Sequence, residues 1–235
     1  MTSRASERLY RPPLGYRIGR RARDIALALL IGTILILPVI GLLVWLARGQ
    51  GRPFFYGAER MKAPGQPFTL WKFRTMEAAG NRAGNETGDS GVSGGDKAAR
   101  ITPQGATMRR YRADEIPQLW NVLRGDISFV GPRPPLRQYV EAFPELYARV
   151  LRSKPGITGL ASLSYAAHEE RLLSRSRSRA ETDALYRRLC VPTKARLDLI
   201  YQRHASLCYD LKLIWQTAAR FTPGWFGKRE PKEQT

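Results

Sequence analysis

Apolar residues come in short bursts along most of this chain, but from Ile25 to Ala47 they run without a single charge. The stretch IALALLIGTILILPVIGLLVWLA is 23 residues, long enough to cross a bilayer. Pro38 divides it into arms of 13 and 9 residues, which as helix measure about 20 Å and 14 Å, each near the depth of one leaflet. A proline there removes a backbone donor and clashes with the preceding turn, which favours a bend. Arg20, Arg21 and Arg23 precede the run, and Arg48 and Arg52 follow it, so the positive-inside bias draws both ends to the cytoplasm. On these residues alone two readings stand: a helix-break-helix that dips in and returns at Pro38, or a kinked helix that spans. A cleavable signal peptide is excluded, because no small-residue cleavage site follows and a basic, Pro-containing leader comes first.

Downstream the pattern changes character. Arg52 to Met76 reads as short extended pieces joined by turns, with Phe68, Leu70 and Phe73 as the apolar positions of a β-hairpin. Residues 77–99 turn to Gly, Asn, Ser and charge with no apolar period, the composition of a mobile loop. ATMRRYRADEIPQLWNVLRGD then leads a basic segment into a short helix, with Pro117 at an early position and Arg124-Gly125 as the stop. Asp114 and Glu115 therefore fall in or just before a first turn, where free amides and the helix dipole favour negative charge. A strand-like ISFV runs into GPRPP, which fixes Arg133 between prolines. PELYARVLR is a short amphipathic helix and KPGITGL a turn-rich link. Leu207, Leu211, Ile214, Trp215 and Ala218 share one helical face, followed by Phe221, Trp225 and Phe226. That stripe suits either a headgroup region or a core. The run SRSRSR from Ser174 to Arg179 is a solvated charge run. The divisions are a basic leader at 1–24, a membrane segment at 25–47, one cytoplasmic domain at 48–222 and a tail at 223–235. The fold class is mixed α+β, mostly helical, with a small β-hairpin and interfacial amphipathic helices.

Charge narrows the partners. Lys and Arg number 39 against 20 Asp and Glu, a net charge of +19, so the chain suits polyanions: nucleic acid, anionic lipid or phosphorylated substrates. The basic residues are spread along the chain and form no nucleic-acid motif, so nucleic acid is not an expected partner. Two cysteines with no CxxC pair and two histidines argue against a zinc site or a disulfide framework. Asp114 and Glu115 are flanked by Arg109, Arg110 and Arg112, an arrangement expected to keep both carboxylates ionised. An ionised Asp can attack phosphorus and form an acyl phosphate. Bringing two anions together requires cations, which Mg2+ held by a carboxylate and phosphate oxygens, with Arg and Lys, would supply.

The blocks KFRTM (Lys72 to Met76), ADEIPQLWNVLRGDISFVGPRP (Ala113 to Pro134), KPGITGL (Lys154 to Leu160) and LDLIY with SLCYDLKLI resemble the bacterial sugar transferase family, the monotopic phosphoglycosyl transferases. With the apolar run in place, the resemblance covers most of Arg20 to Arg220. It implies that Asp114 attacks the sugar-bearing phosphate of a UDP-sugar, that UMP leaves, and that polyprenol phosphate (undecaprenyl phosphate) takes the phosphosugar. It implies that Glu115 helps hold Mg2+, that Lys72, Arg109, Arg133 and Asp198 surround the phosphates and metal, and that the apolar segment is re-entrant with its break at Pro38. The implied setting is the cytoplasmic face of the bacterial inner membrane, against anionic lipid, with downstream glycosyltransferases as possible partners. The chain departs from the pattern after KPGITG. Many relatives carry a Trp and then an Asn-Gly-Arg triplet there, whereas this chain has Leu160 and SLSYAAHEE, with Ala166 at the expected Arg. That puts the usual donor-nucleotide contact in question. Ala113 also replaces a common Leu. The rival classes are a silent membrane scaffold, against which the intact Asp114 and Glu115 argue, a tethered nucleic-acid binder, and a conventional glycosyltransferase, for which the chain lacks an Asp-x-Asp motif.

Overall fold

The computed structural model describes residues 12–77, 100–174, 176 and 178–220. The loop expected after Glu77, parts of the SRSRSR run and the tail with Phe221, Trp225 and Phe226 lie outside these residues. A helix of 36 residues, α1 (Leu14–Gly49), begins the fold. A hairpin of β1 (Phe55–Ala63) and β2 (Gln66–Phe73) follows, then α2 (Pro103–Arg110), a 3-10 turn at Ala113–Glu115, α3 (Gln118–Arg124) and β3 (Ser128–Val130). After these come α4 (Arg137–Ala142), α5 (Pro144–Val150), β4 (Gly156–Thr158), α6 (Leu160–Ser164), α7 (Ala166–Leu173) and α8 (Arg179–Leu185). A π-helical turn at Tyr186–Cys190, α9 (Val191–His204) and α10 (Leu207–Ala219) complete the described chain. The architecture is the mixed, mostly helical one expected, with one antiparallel hairpin among the described residues.

Helix α1 corrects one expectation. It runs without interruption through Pro38, about 54 Å at 1.5 Å per residue. A proline removes one backbone hydrogen bond and bends a helix without having to end it. The neighbouring Leu, Ile and Val have no polar group to offer the backbone, so the helical ladder is where their own amides are satisfied. Helix α1 starts at Leu14, so the basic residues Arg17 to Arg23 are helical together with the apolar run.

Both arms of α1 rest on the same domain. Arg20 donates to the Ser128 hydroxyl and the Val130 and Lys154 carbonyls. Arg21 donates to the Val122 and Leu123 carbonyls, each at 2.6 Å, satisfying acceptors that the end of α3 leaves open. Arg23 pairs with Asp210 of α10 at 2.6 Å and with Asp24 at 2.8 Å. Asp210 is fully buried and also accepts from Tyr16 and Tyr201. Further along, Ala28 enters the main core with Val122, Ile127, Phe129, Tyr201 and Leu213. At the far end Leu46 is buried against Phe73 and Met108, and the Gln104 amide reaches the Trp45 carbonyl at 2.9 Å. Between the arms, Leu30, Ile34, Leu37 and Val44 face outward.

The hairpin pairs Phe55 with Phe73 and Tyr56 with Lys72, and it turns at Gly65, whose φ of 69° suits glycine. Phe68 and Leu70 are buried in the main core, and the two-residue period places Lys72 on their face. Phe73 takes the opposite face and packs under Leu46. The KPGITGL segment, expected as a link, contributes β4, which pairs parallel with β3. Its glycines have a steric cause. A Cβ on Gly131 would stand 2.2 Å from the Lys154 carbonyl oxygen, and one on Gly159 would stand 2.3 Å from the Gly131 carbonyl oxygen. The GPRP and KPGITGL backbones therefore touch, and no larger residue fits between them. On α10, Leu213 points inward and Ile214 packs against the core, while Leu207, Leu211 and Trp215 are exposed, so the apolar stripe divides between the core and an outward face of the kind an interfacial helix presents.

Replacing Arg23 with Met strands the buried Asp210 carboxylate and is expected to destabilise the fold by about 3–5 kcal/mol. The double variant Arg23→Met with Asp210→Asn recovers a measurable part of that loss in detergent-solubilised thermal unfolding. A double variant no more stable than the single one refutes the role given to this pair.

Candidate active site

The 3-10 turn at Ala113–Glu115 is set up by Arg112, whose φ of 51° is left-handed, and it is closed by the Glu115 amide donating to the Arg112 carbonyl at 3.1 Å. Helix α3 then holds the turn in register with the hairpin through the buried Asn121. Its side-chain oxygen accepts from the Trp71 amide at 3.0 Å, and its NH2 donates to the Thr69 carbonyl at 2.8 Å. Lys72, the next strand residue, is thereby placed beside the turn. Arg133 arrives from the loop after β3, where Pro132, Pro134 and Pro135 are buried around it.

Glu115 is the centre of this arrangement. Its side chain is 11% exposed and meets Arg133 at 3.2 Å, Arg112 at 3.6 Å and Lys72 at 3.7 Å. Burial pushes its carboxyl upward, but Arg133, then Lys72 and Arg112, overcome that and hold it down to about 2. Asp114 behaves differently. Among the described residues it forms no ion pair, and burial followed by the adjacent Glu115 charge raises its carboxyl above the ordinary value, with Lys72 and Arg109 opposing. Of the flanking arginines, Arg112 favours the ionised form of Glu115 and Arg109 that of Asp114, where burial and the Glu115 charge outweigh it. Lys72 is lowered by burial and by Arg133, against Glu115 and Asp114. Arg109 donates to the Thr75 hydroxyl at 2.9 Å.

Lys72, Arg109, Asp114, Glu115 and Arg133 are therefore brought together, joined by Arg112, which the sequence reading left as a mere flank. Asp198 is buried on α9, and none of the ion pairs around Glu115 includes it. Burial pushes its carboxyl up to about 7, with Lys194 opposing. Pro38 lies on the exposed apolar stretch of α1. A second layer escaped the sequence reading: Lys194 donates to both Glu169 carboxylate oxygens, at 2.9 and 3.1 Å, and to the Tyr186 hydroxyl at 3.2 Å. The negative charge of Glu169 also favours the cationic form of Arg133. Nothing in the spacing of positions 169, 186 and 194 signals that contact. Ala166, at the start of α7, is three residues before Glu169.

No cluster of three or more His, Cys, Asp or Glu side chains capable of holding a metal occurs among the described residues. Mg2+ binds through one or two carboxylates plus substrate phosphates and water, so the Asp114–Glu115 pair fits an ion that arrives with phosphates.

The sequence model of the bacterial sugar transferase family matches residues 15–223. The exopolysaccharide production protein ExoY of Sinorhizobium fredii is 31% identical over 215 residues, covering 87% of this chain and 85% of the relative. The UDP-glucose:undecaprenyl-phosphate glucose-1-phosphate transferase of Escherichia coli is 33% identical over 216 residues, covering 89% of this chain and 42% of the relative. An uncharacterized sugar transferase of Bacillus subtilis, EpsL, is 43% identical over 114 residues, covering 48% of this chain and 52% of the relative. The chain thus spans about half or less of two of these relatives and most of the third.

Glu115 titrates near 2 in the fold against an ordinary 4.5. Its depressed value stabilises the native state fully above pH 4.5, and that contribution is lost as pH falls toward 2. The difference corresponds to about 3 kcal/mol. Unfolding free energies of wild type and Glu115→Gln should therefore converge as pH is lowered from 5 to 2.5. A gap that stays constant across this range removes the ion-pair role.

Proposed function

The chain belongs to the bacterial sugar transferase family, and we propose that it transfers a phosphosugar from a UDP-sugar to polyprenol phosphate through a covalent intermediate on Asp114. The observation that carries this reading is the division of labour between the two acids. Three cations engage Glu115, while Asp114 beside it forms no ion pair among the described residues. A partly buried carboxylate with no cation clamped to it is less hindered as a nucleophile. In the first step an Asp114 oxygen bonds to the sugar-bearing phosphorus and the bond from that phosphorus to the UMP oxygen breaks, releasing UMP. In the second an oxygen of polyprenol phosphate attacks the same phosphorus, the Asp114 bond breaks, and the carboxylate returns. Lys72, Arg109 and Arg133 offset the negative charge that develops on the phosphate oxygens. Mg2+, held by Glu115 with the substrate phosphates, would add further charge neutralisation.

The names of the relatives support the substrate classes. The product would be the lipid-linked first unit of an exopolysaccharide, capsule, O-antigen or glycoprotein glycan, handed to downstream glycosyltransferases. The proposed setting is the cytoplasmic face of the bacterial inner membrane. The contacts of α1 support a re-entrant or surface-lying segment over a spanning one. Arg20 to Ala28 and Leu46 both pack on the one domain, and two ends held by a single body on one side of a bilayer do not lie on opposite faces.

Purified protein with Mg2+, a UDP-sugar and polyprenol phosphate is expected to release UMP, and Asp114→Asn to reduce that release by about 10³-fold or more with its unfolding temperature retained. Normal turnover by the Asn variant refutes the nucleophile. Release of UDP in place of UMP refutes phosphosugar transfer. Single cysteines placed at residue 14 and residue 50 should react with an impermeant reagent from the cytoplasmic side only, and periplasmic labelling of either overturns the topology.

A further inference from the structure

Arg133 is held in the site by a single grip. Its side chain is 42% exposed, and among the described residues its guanidinium makes one hydrogen bond, from Nη2 to Oε1 of Glu115 at 3.2 Å. A guanidinium carries five N–H donors, so most of them stay open to a phosphate. The same openness lets another carboxylate draw the group away. One stands near: the negative charge of Glu169 on α7 acts on Arg133, although the two form no ion pair among the described residues.

Glu169 is occupied from another direction. Its two oxygens accept from Lys194 of α9, at 3.1 and 2.9 Å, and the Tyr186 hydroxyl lies 3.2 Å from the same ammonium. Three acceptors satisfy the three ammonium protons. The Tyr186 ring fixes that position, because it packs on the buried Tyr139 at 4.9 Å and lies under the ammonium at 5.1 Å. Lys194 and Glu169 are both largely buried, so water and salt screen the pair less than they would at the surface. Charge therefore alternates from Glu115 through Arg133 and Glu169 to Lys194. Without the last ammonium, a second unpaired carboxylate would stand near a guanidinium that has donors to spare. We propose, resting on the transfer reading above, that Lys194 is a positioning residue for Arg133: it occupies both oxygens of Glu169, leaves Glu115 as the acid that Arg133 grips, and so keeps the remaining guanidinium donors turned to the donor diphosphate.

The test is equilibrium binding of UDP with Mg2+ to the full chain in detergent, since UDP carries the diphosphate common to every UDP-sugar and requires no turnover. Lys194→Gln and Lys194→Met remove the charge with side chains of different polarity, so that one serves where the other does not fold. Each is expected to weaken UDP binding about tenfold. Lys194→Arg, which can hold both Glu169 oxygens, and Glu169→Gln, which removes the competing acid, stay within about threefold of wild type. Adding Glu169→Gln to Lys194→Gln also restores binding to within about threefold. In an Arg133→Met chain, itself weakened, removal of the Lys194 charge changes binding by less than about twofold. A lysine that merely braces α7 against α9 would weaken UDP equally with and without Arg133. Equal losses in the two backgrounds, or no loss from the Lys194 variants, overturn the proposal and leave the transfer reading standing, because UMP release is measured separately. A wild-type chain that binds no UDP refutes the donor site and the proposal with it.

Discussion

The ionised carboxylate of Glu115 is the interaction around which the rest is arranged, because its three cations come from three separate stretches of chain. Lys72 stands at the end of β2, Arg112 in a left-handed turn, and Arg133 in a loop between prolines. A carboxylate buried to this degree is costly unless its partners are fixed in place. The surrounding packing does that fixing. Asn121 sets α3 against β2, and the close approach of Gly131 to the KPGITGL backbone immobilises the loop that carries Arg133. Preorganised charge of this kind needs no rearrangement when a phosphate arrives.

The same reasoning changes the meaning of the basic residues before the apolar run. Read from sequence, Arg20, Arg21 and Arg23 are topological markers. In the fold they are also joints, bonded to carbonyls at the ends of β3 and α3 and to a buried acid on α10. Membrane helix and catalytic domain are consequently one packed body. The Arg23–Asp210 pair lies within the core that also holds Tyr201 and Leu213. At the other end, Phe73 packs beneath Leu46 while Lys72 beside it faces Glu115. A single strand terminus therefore ties the membrane segment to the site, and the alternation of the pleat sends the two neighbours to their separate tasks.

Legibility in the sequence followed the range of the interactions. The hairpin, the short helix after Pro117 with its stop at Gly125, and the apolar stripe on α10 rest on local patterns, and the structure contains all three. The cluster of Lys72, Arg109, Asp114, Glu115 and Arg133 was visible through the blocks that resemble the family. Arg112 was counted only as charge, since its role depends on a positive φ that its residue type does not announce. Lys194, Glu169 and Tyr186 were invisible because they meet across three helical elements with no fixed spacing. KPGITGL looked like a link because three residues of parallel strand leave no period to read. Pro38 misled for the opposite reason: a strong local signal for a break was outweighed by a helix with no other place to satisfy its backbone.

The contrast between the two adjacent acids follows from the geometry of the turn. Neighbouring residues in a tight helical turn project about a third of a revolution apart, so of Glu115's three cations Asp114 feels Lys72 and is not paired with Arg112 or Arg133 among the described residues. Glu115 gains charge stabilisation from Arg133, Lys72 and Arg112, while at Asp114 burial and the like charge beside it outweigh Lys72 and Arg109, and the two carboxyls shift in opposite directions. The nucleophile role proposed for Asp114 is better served by the second environment. The cations that would neutralise it most strongly are already committed, and its lone pairs remain available to an incoming phosphate. Exchanging the positions of the two acids would preserve composition, charge and the sequence block almost unchanged. It would place the longer side chain where reach is not required and lock the shorter one among three cations, which is why the order Asp then Glu carries information that their mere adjacency does not.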